Sequence, residues 1–365
     1  MIKYLGSKRR LVGELGRLCE ASGATTALDL FTGTTRVAQE FCRRGAFVTT
    51  VDTASYSQVL GQCYVETDAA AVDTAEVAQA LAELAALPDR RGYATEVFAE
   101  RARYFHPDNA RRIDAVREGI DRFHPDGGLR PILLTALLEA ADRVDSTVGL
   151  QMAYLKQWAP RALRPLVLRV PHLVPGTGRA LRGDARAVAA TLEPVGLAYL
   201  DPPYNQHRYF NNYHVWETLV RWDAPEHYGV ACKRVDARGP ANSSDFNSRR
   251  RMPDALAEVI AGVRAQVVVV SFSNEGFLPL ESLLELCAVR GNPVAVLAFD
   301  TRRYIGSQLG VFSPSGERVG TAGPQRNLEY LLVSAPNDVL ERLEAQPGIR
   351  LPERSVCSEI PPTVK

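Results

Sequence analysis

No two cysteines in this chain stand in a CxxC spacing. The six it has, at 19, 42, 63, 232, 287 and 357, are scattered, and no histidine accompanies them at ligand spacing. That pattern excludes a zinc ribbon or a disulfide framework, so no metal site is expected and a reducing cytoplasm fits best. No stretch reaches the roughly 18 apolar residues of a membrane span. The opening MIKYLGSKRRLVGEL also lacks the apolar core of a signal peptide, and a soluble, intracellular protein without a membrane partner is expected. Charge of one sign is missing too. Lys and Arg number 43 against 42 Asp and Glu, a net charge of +1, so a nucleic-acid partner must be met by local basic clusters. There is no GxGxxG turn, no solenoid repeat and no low-complexity tract. What remains is ordinary for a soluble enzyme: 365 residues, 46% hydrophobic and 23% charged, enough for one large α/β domain or two smaller ones.

Residues 7–20 read as a helix opened by Ser7. TALDLF (26–31) reads as a short buried strand running into a turn at Gly33. TTRVAQEFCRRG has helical spacing and a glycine stop, and AFVTTVD (46–52) is a second strand ending in an acid. The order β-turn-α-β is that of a nucleotide-type α/β sheet. Between about 66 and 180, DTAEVAQALAELAAL, NARRIDAVREGIDRF and RPILLTALLEAADRV repeat at helical spacing with few strand signals, the pattern of a helical insert. Strand-like runs return at 196–200, 265–273, 293–299 and 328–334. PSGERVG (314–320) reads as a hairpin turn that makes the last strands antiparallel, and a polar tail follows residue 336.

Three features carry chemistry. The small-residue turn after Asp29, Leu30 and Phe31 lets a ligand approach the backbone and presents helix N-terminal amides to it. Asp52, about twenty residues beyond, stands where such sheets place an acid against ribose hydroxyls. Glycine turns and strand-end acids are also common in α/β proteins without that ligand. The third feature is Asp201, Pro202, Pro203 and Tyr204 at the end of an apolar run. An exocyclic aromatic amine becomes nucleophilic only when acceptors hold its hydrogens. Asp201 supplies one acceptor and a neighbouring carbonyl the second. The prolines add no competing N–H and fix that carbonyl, and Tyr204 offers a stacking face worth about 1–3 kcal/mol. The tetrapeptide reads as a clamp for an adenine amine.

Taken in order, these motifs resemble the Dam-like (D12, α-group) adenine-N6 DNA methyltransferases, over roughly residues 1–335. KYLGSKRRL resembles the family's opening motif, which implies cofactor contacts at Tyr4 and Lys8. DLFTGTTRVAQ resembles its methionine-binding turn, implying Asp29, Phe31, Gly33, Thr34 and Thr35. Asp52 takes the ribose-binding position, and RGDA (182–185) places Asp184 near the cofactor's adenine ring, with Asp201 also against the cofactor. Thr35 stands where some relatives carry glycine. SFSNEGF (271–277) and RNLEYLLVS (326–334) resemble later motifs. The resemblance implies a Rossmann-like class I methyltransferase fold: a mostly parallel sheet with an antiparallel edge, its catalytic domain split between 1–65 and 181–335. The helical insert, 66–180, is then a target-recognition region and 336–365 a tail. It implies S-adenosylmethionine as cofactor, double-stranded DNA as partner and direct in-line methyl transfer to a flipped adenine, and it is compatible with a cognate restriction endonuclease.

Some readings stay open at this level. Methylation of RNA adenine N6 or of cytosine N4, or a non-catalytic DNA-binding relative, remain alternatives, although cytosine-directed relatives typically carry Ser at the position of Asp201. The basic stretch with Lys233, Arg234, Arg238, Arg249, Arg250 and Arg251 reads either as a solvated loop or as phosphate contacts. Tyr209, Phe210, Asn211, Asn212, Tyr213 and Trp216 either line the base pocket or, for YHVWETLVRW, form the core stripe of a helix, the reading favoured for Trp216. His207 and His214 have no evident catalytic part, because the reaction needs no group titrating near neutrality.

Overall fold

A computed structural model describes residues 2–4, 8–239, 242–302 and 326–346. The chain divides into two compact units. One takes Met1–Val12, Thr32–Gly183 and His207–Ser243; the other takes Gly13–Phe31, Asp184–Gln206 and Ser244–Lys365.

The second unit is built on strands β1 (Thr26–Leu30), β4 (Val195–Leu200), β7 (Ala265–Ser273), β8 (Val294–Arg302) and β9 (Arg326–Ser334). β1 pairs parallel with β4, and β4 with β7. β9 then pairs antiparallel with both β7 and β8. β4 and β7 are interior strands with both faces covered. Leu197, Ala198, Leu200 and Val267 to Val270 are accordingly buried, the near-continuous apolar run that a covered parallel sheet demands. The flanking helices are α1 (Val12–Ser22), α7 (Ala185–Ala189), α10 (Met252–Gly262) and α11 (Leu280–Ala288).

The first unit carries the parallel pair β2 (Phe47–Asp52) and β3 (Gly178–Arg182). β3 was not evident in GRALR, where only Ala180 is buried. Gly178 is required there, since a Cβ would lie 2.3 Å from the Val48 carbonyl oxygen of β2. Helices α2 (Arg36–Arg43), α4 (Thr74–Ala85), α5 (Pro107–Phe123) and α6 (Leu129–Arg143) follow the expected spacings, and α3 (Ser55–Gly61), not expected from the sequence, follows β2. α4 is capped by Asp73, whose carboxylate accepts from the Ala75 and Glu76 amides, and α5 starts at a proline, which suits the first helical position. Between α6 and β3, residues 144–177 form a long irregular segment with one short 3₁₀ turn, Pro160–Leu163. It is pinned at Gln151, whose amide donates to the Asn212 carbonyl while its side-chain oxygen accepts from Val215 N. Helices α8 (Tyr209–Asn212) and α9 (His214–Arg221) and a two-residue ribbon, β5 (His227–Tyr228) with β6 (Lys233–Arg234), complete this unit.

The order of the whole sheet is β3-β2-β1-β4-β7-β9-β8, mostly parallel with an antiparallel edge. The six strands expected from sequence fall within three residues of their expected bounds. Ser7 and the hairpin turn at 314–320 lie outside the described residues. α1 begins at Val12, after a turn in which the Lys8 carbonyl accepts from Leu11 N and Val12 N. The segment expected as a polar tail contains α12 (Asn337–Glu344), which buries Val339, Leu340 and Leu343 along one side directly after Pro336. Among the described residues, no helix is long and apolar enough to cross a membrane.

Candidate active site

The strand order reverses between β1 and β4: β2 and β3 extend one side of the sheet, β7 the other. In such sheets ligands bind beyond the carboxyl ends of the strands at that point. Leu30 stands in register with Leu200, and the Asp201 amide donates to the Leu30 carbonyl at 3.4 Å. Phe31 and Asp201 therefore leave the sheet side by side.

Within the second unit, the turn Asp201–Tyr204 is held from two directions. The Tyr204 carbonyl accepts from Phe277 N at 2.9 Å, and its half-buried ring lies 5.6 Å from that of Phe272. One residue on, the Asn205 carbonyl accepts from the Asn247 side chain at 2.9 Å. Pro202 is buried; Asp201 and Pro203 are half-buried. SFSNEGF thus supports the tetrapeptide. Asp29 is buried on β1, and Phe31, with φ +65°, sets its ring edge-on to Phe246 at 4.8 Å. Asp184 is exposed and caps α7 by accepting from Arg186 N.

Within the first unit, the glycine turn and Asp52 are one construction. Gly33 has φ +53° and donates its amide to Asp52 Oδ2 at 2.9 Å; Oδ1 accepts from Ala54 N at 3.0 Å. A Cβ on Gly33 would come 2.9 Å from the Tyr4 ring, so the turn is a cradle closed by that ring. Thr34 and Thr35 are buried, and Thr35 is left-handed at φ +60° although β-branched. Its hydroxyl accepts from Gln39 Nε2 at 3.0 Å. Lys8 is 7% exposed, whereas Arg9 and Arg10 face solvent. Tyr4 stacks on Tyr213 at 4.5 Å and on Tyr209 at 5.5 Å, and its hydroxyl lies 3.4 Å from that of Tyr56. Burial raises the Asp52 carboxyl above its ordinary value. Amide donors from Ala54 and Gly33 oppose that shift, and the charge of Glu217 adds to it.

Glu217 and Tyr56 were not singled out from sequence. Glu217 lies on α9 and is fully buried, with Oε2 accepting from Ser55 N at 2.8 Å and Tyr56 N at 3.3 Å, at the start of α3. A glutamate inside YHVWETL carries no local sign of a partner 162 residues away in the chain. Trp216 is buried, as the core-stripe reading requires. His214 is buried as well. Burial pushes its imidazole down to about 3, and Nε2 lies 3.0 Å from the Gln151 carbonyl. It is a structural neutral histidine.

The basic stretch divides. Arg234, expected among the phosphate contacts, is 2% exposed and forks onto both Asp223 and Asp236 at 2.7 Å, so its charge is spent inside the protein. Lys233 is half-buried beside it. The Arg238 guanidinium lies 3.6 Å from the centre of the Tyr228 ring. Arg251 pairs with Asp245 at 2.7 Å, while Arg249 and Arg250 are exposed and make no ion pair among the described residues.

A mostly parallel α/β sheet with an antiparallel edge, a glycine turn bonded to a strand-end acid, and a proline-rich acidic turn after β4 define a nucleotide-type α/β protein. The sequence profile of the D12 class N6 adenine-specific DNA methyltransferases matches residues 4–249, and the chain belongs to that family. Among its relatives are the modification methylase LlaI of Lactococcus lactis subsp. lactis, 27% identical over 83% of this chain and 51% of that protein, and the type II methyltransferase M.NlaIII of Neisseria lactamica, 28% identical over 78% and 87%. The type II methyltransferase M.FokI of Planomicrobium okeanokoites is 27% identical over 80% and 47%. The chain thus spans about half the length of two of these relatives and most of the third.

Proposed function

We propose that this protein transfers a methyl group from S-adenosylmethionine to the exocyclic N6 of an adenine in double-stranded DNA. Bound S-adenosylmethionine supplies a methyl group made electrophilic by its sulfonium. The observation that carries the reading is the Asp201–Tyr204 turn, braced by Phe277, Phe272 and Asn247 and free of amide donors at both prolines. Asp201 and the adjacent carbonyl accept hydrogen bonds from the amine, so positive charge developing on N6 is stabilised by a preoriented acceptor. The target base reaches this turn by leaving the duplex stack, and Tyr204 replaces its lost stacking. Methyl transfer is in-line and direct, and the amine proton passes to solvent.

The cofactor suits the residues of the first unit. Asp52 is fixed by two backbone amides and keeps a lone pair on each oxygen for ribose hydroxyls. Gly33 lets the Tyr4 ring pack directly on the turn, and on this reading Tyr4 and Lys8 contact the carboxylate-bearing ligand that the turn receives. On this reading Asp29, Phe31, Thr34, Thr35 and Asp184 complete the cofactor contacts. Residues 66–180 select the target sequence, a role supported by the exposed Val148 and Met152 and exposed Lys156 on the segment that Gln151 pins. Lys233, Arg249, Arg250 and Arg251 hold phosphates, and a restriction endonuclease of the same specificity is the companion such an activity calls for.

The test is methyl transfer from labelled cofactor to duplex DNA by wild type and Asp201→Ala. Transfer should collapse in the variant by about a thousandfold, the size of effect when a preoriented transition-state contact is lost, while cofactor binding survives. Wild-type turnover in Asp201→Ala would remove the tetrapeptide from the chemistry.

A further inference from the structure

Glu217 is an expensive residue for the work its hydrogen bonds do. Starting a helix requires an acceptor for one or two free amides, which a neutral side chain provides as well. Here a carboxylate with no solvent exposure does it with Oε2 alone, and Oε1 is buried with no hydrogen-bond partner among the described residues. Its charge acts on Asp52, itself buried enough to hold its carboxyl raised. Two carboxylates in one apolar neighbourhood repel each other, and no lysine or arginine pairs with either among the described residues. Tyr4, Tyr56, Tyr209 and Tyr213 stand around the same spot, with ring centroids 4.5–6.4 Å apart. Their faces are electron-rich and attract cations. Two carboxylates and four aromatic rings, with no ion pair to either carboxylate among the described residues, favour a ligand that brings positive charge.

We propose that Asp52 and Glu217 form an anionic pair that makes binding depend on the positive charge of the cofactor, favouring the sulfonium over the neutral thioether left after transfer. The proposal rests on the S-adenosylmethionine reading. Both molecules share the same adenosine, α-amino group and carboxylate, so the hydrogen bonds at Asp52 and the glycine turn do not distinguish them. They differ by a methyl group and one positive charge, which a field can read at a distance in a poorly screened interior. Glu217 is in this sense a selectivity residue. Its second contact, at Ser55 and Tyr56, holds the β2–α3 junction on which Asp52 sits.

The experiment is calorimetric binding of S-adenosylmethionine, S-adenosylhomocysteine and an analogue with a primary amine in place of the sulfonium, to wild type and Glu217→Gln. The amide keeps an acceptor for Ser55 and Tyr56 but loses the charge. The two cationic ligands should weaken about tenfold in the variant while S-adenosylhomocysteine changes less than about twofold. Equal weakening of all three would make Glu217 a mere cap and overturn the proposal, as would no change in any. Wild type binding none of the three would instead overturn the cofactor reading and the selectivity with it.

Wild type offers a second measurement that needs no variant. The groups facing Asp52 are the Gly33, Thr53 and Ala54 amides, the Glu217 carboxylate and the Tyr4 and Tyr56 hydroxyls. As pH falls, protonation of the raised Asp52 carboxyl removes negative charge. The affinity ratio of S-adenosylmethionine to S-adenosylhomocysteine should then drop, the ionisations common to both cancelling. A ratio flat through that range contradicts the pair.

Discussion

Gly33 shows how much one residue decides at this site. Its positive φ is strained for any L side chain, and its missing Cβ is the space that the Tyr4 ring occupies. Gly33→Ala should cost roughly 1–2 kcal/mol in folding and displace Tyr4. Binding of S-adenosylmethionine should weaken at least about tenfold, as calorimetry and chemical denaturation together would report. Unchanged binding would mean that Tyr4 does not close the cradle. Arg234 and its basic neighbours make the opposite point: charges of one sign in a loop do different jobs. Arg234→Ala should destabilise the fold by about 2 kcal/mol, below the range for a fully buried pair because Asp223 and Asp236 are about a third exposed. Replacing Arg249 and Arg250 with Ala should leave stability within about 0.5 kcal/mol. That double variant should instead lower DNA affinity and reduce its salt slope by about two. Anisotropy titrations over a salt series would settle both halves; an unchanged slope assigns the two arginines to solvent.

At the scale of elements, the turn between β1 and α2 carries backbone strain at two non-glycine positions, Phe31 and Thr35. Thr35→Val keeps the branched strain and drops the hydroxyl that Gln39 uses, whereas Thr35→Gly drops both. The glycine variant should therefore be the more stable of the two by about 1 kcal/mol in urea denaturation, strain relief exceeding the entropy glycine adds to the unfolded chain. The reverse order would mean that the left-handed Thr35 is unstrained. Most elements were legible in the sequence because apolar period and length are local properties: AQVVVVSFS announces a covered strand by itself. Several features were not, α3 among them. β3 is short and arginine-bearing, and its identity comes from β2 across the ladder. α12 has only three buried positions and follows a proline. Glu217 reads as a polar helix face until the start of α3 is placed against it. The acidic turn at 201–204 was legible as the end of an apolar strand, but its bracing by Phe272, Phe277 and Asn247 is made by the fold.

For the whole molecule, acid response follows from a buried carboxylate of the first unit, Asp142. Asp142, on α6, bonds Lys3 through the Lys3 amide at 3.1 Å, and Lys3 Nζ reaches Asp145 at 2.9 Å. Burial outweighs Lys3 and raises the Asp142 carboxyl to about 6. Its folded value lies above the unfolded one, so between the two the folded state holds a proton that the unfolded chain has released. This group's contribution to stability is therefore greatest at low pH and falls as pH rises toward 6, by up to about 1.4 kcal/mol per pH unit. Asp142→Asn should flatten that part of the profile, measured as urea midpoints at pH 4.5 and 7; an unaltered profile would place the titration elsewhere. Lys3 adjoins Tyr4, so this anchor also ties the segment holding the glycine cradle to the helical region of the same unit.

The central claim is that this chain modifies one atom of one base. The most direct measurement digests DNA from a methylation-free host expressing wild type or Asp201→Ala and quantifies modified nucleosides by mass spectrometry. N6-methyladenine with wild type only, and no N4-methylcytosine, is the expected result; N4-methylcytosine, or N6-methyladenine equally with Asp201→Ala, would contradict it.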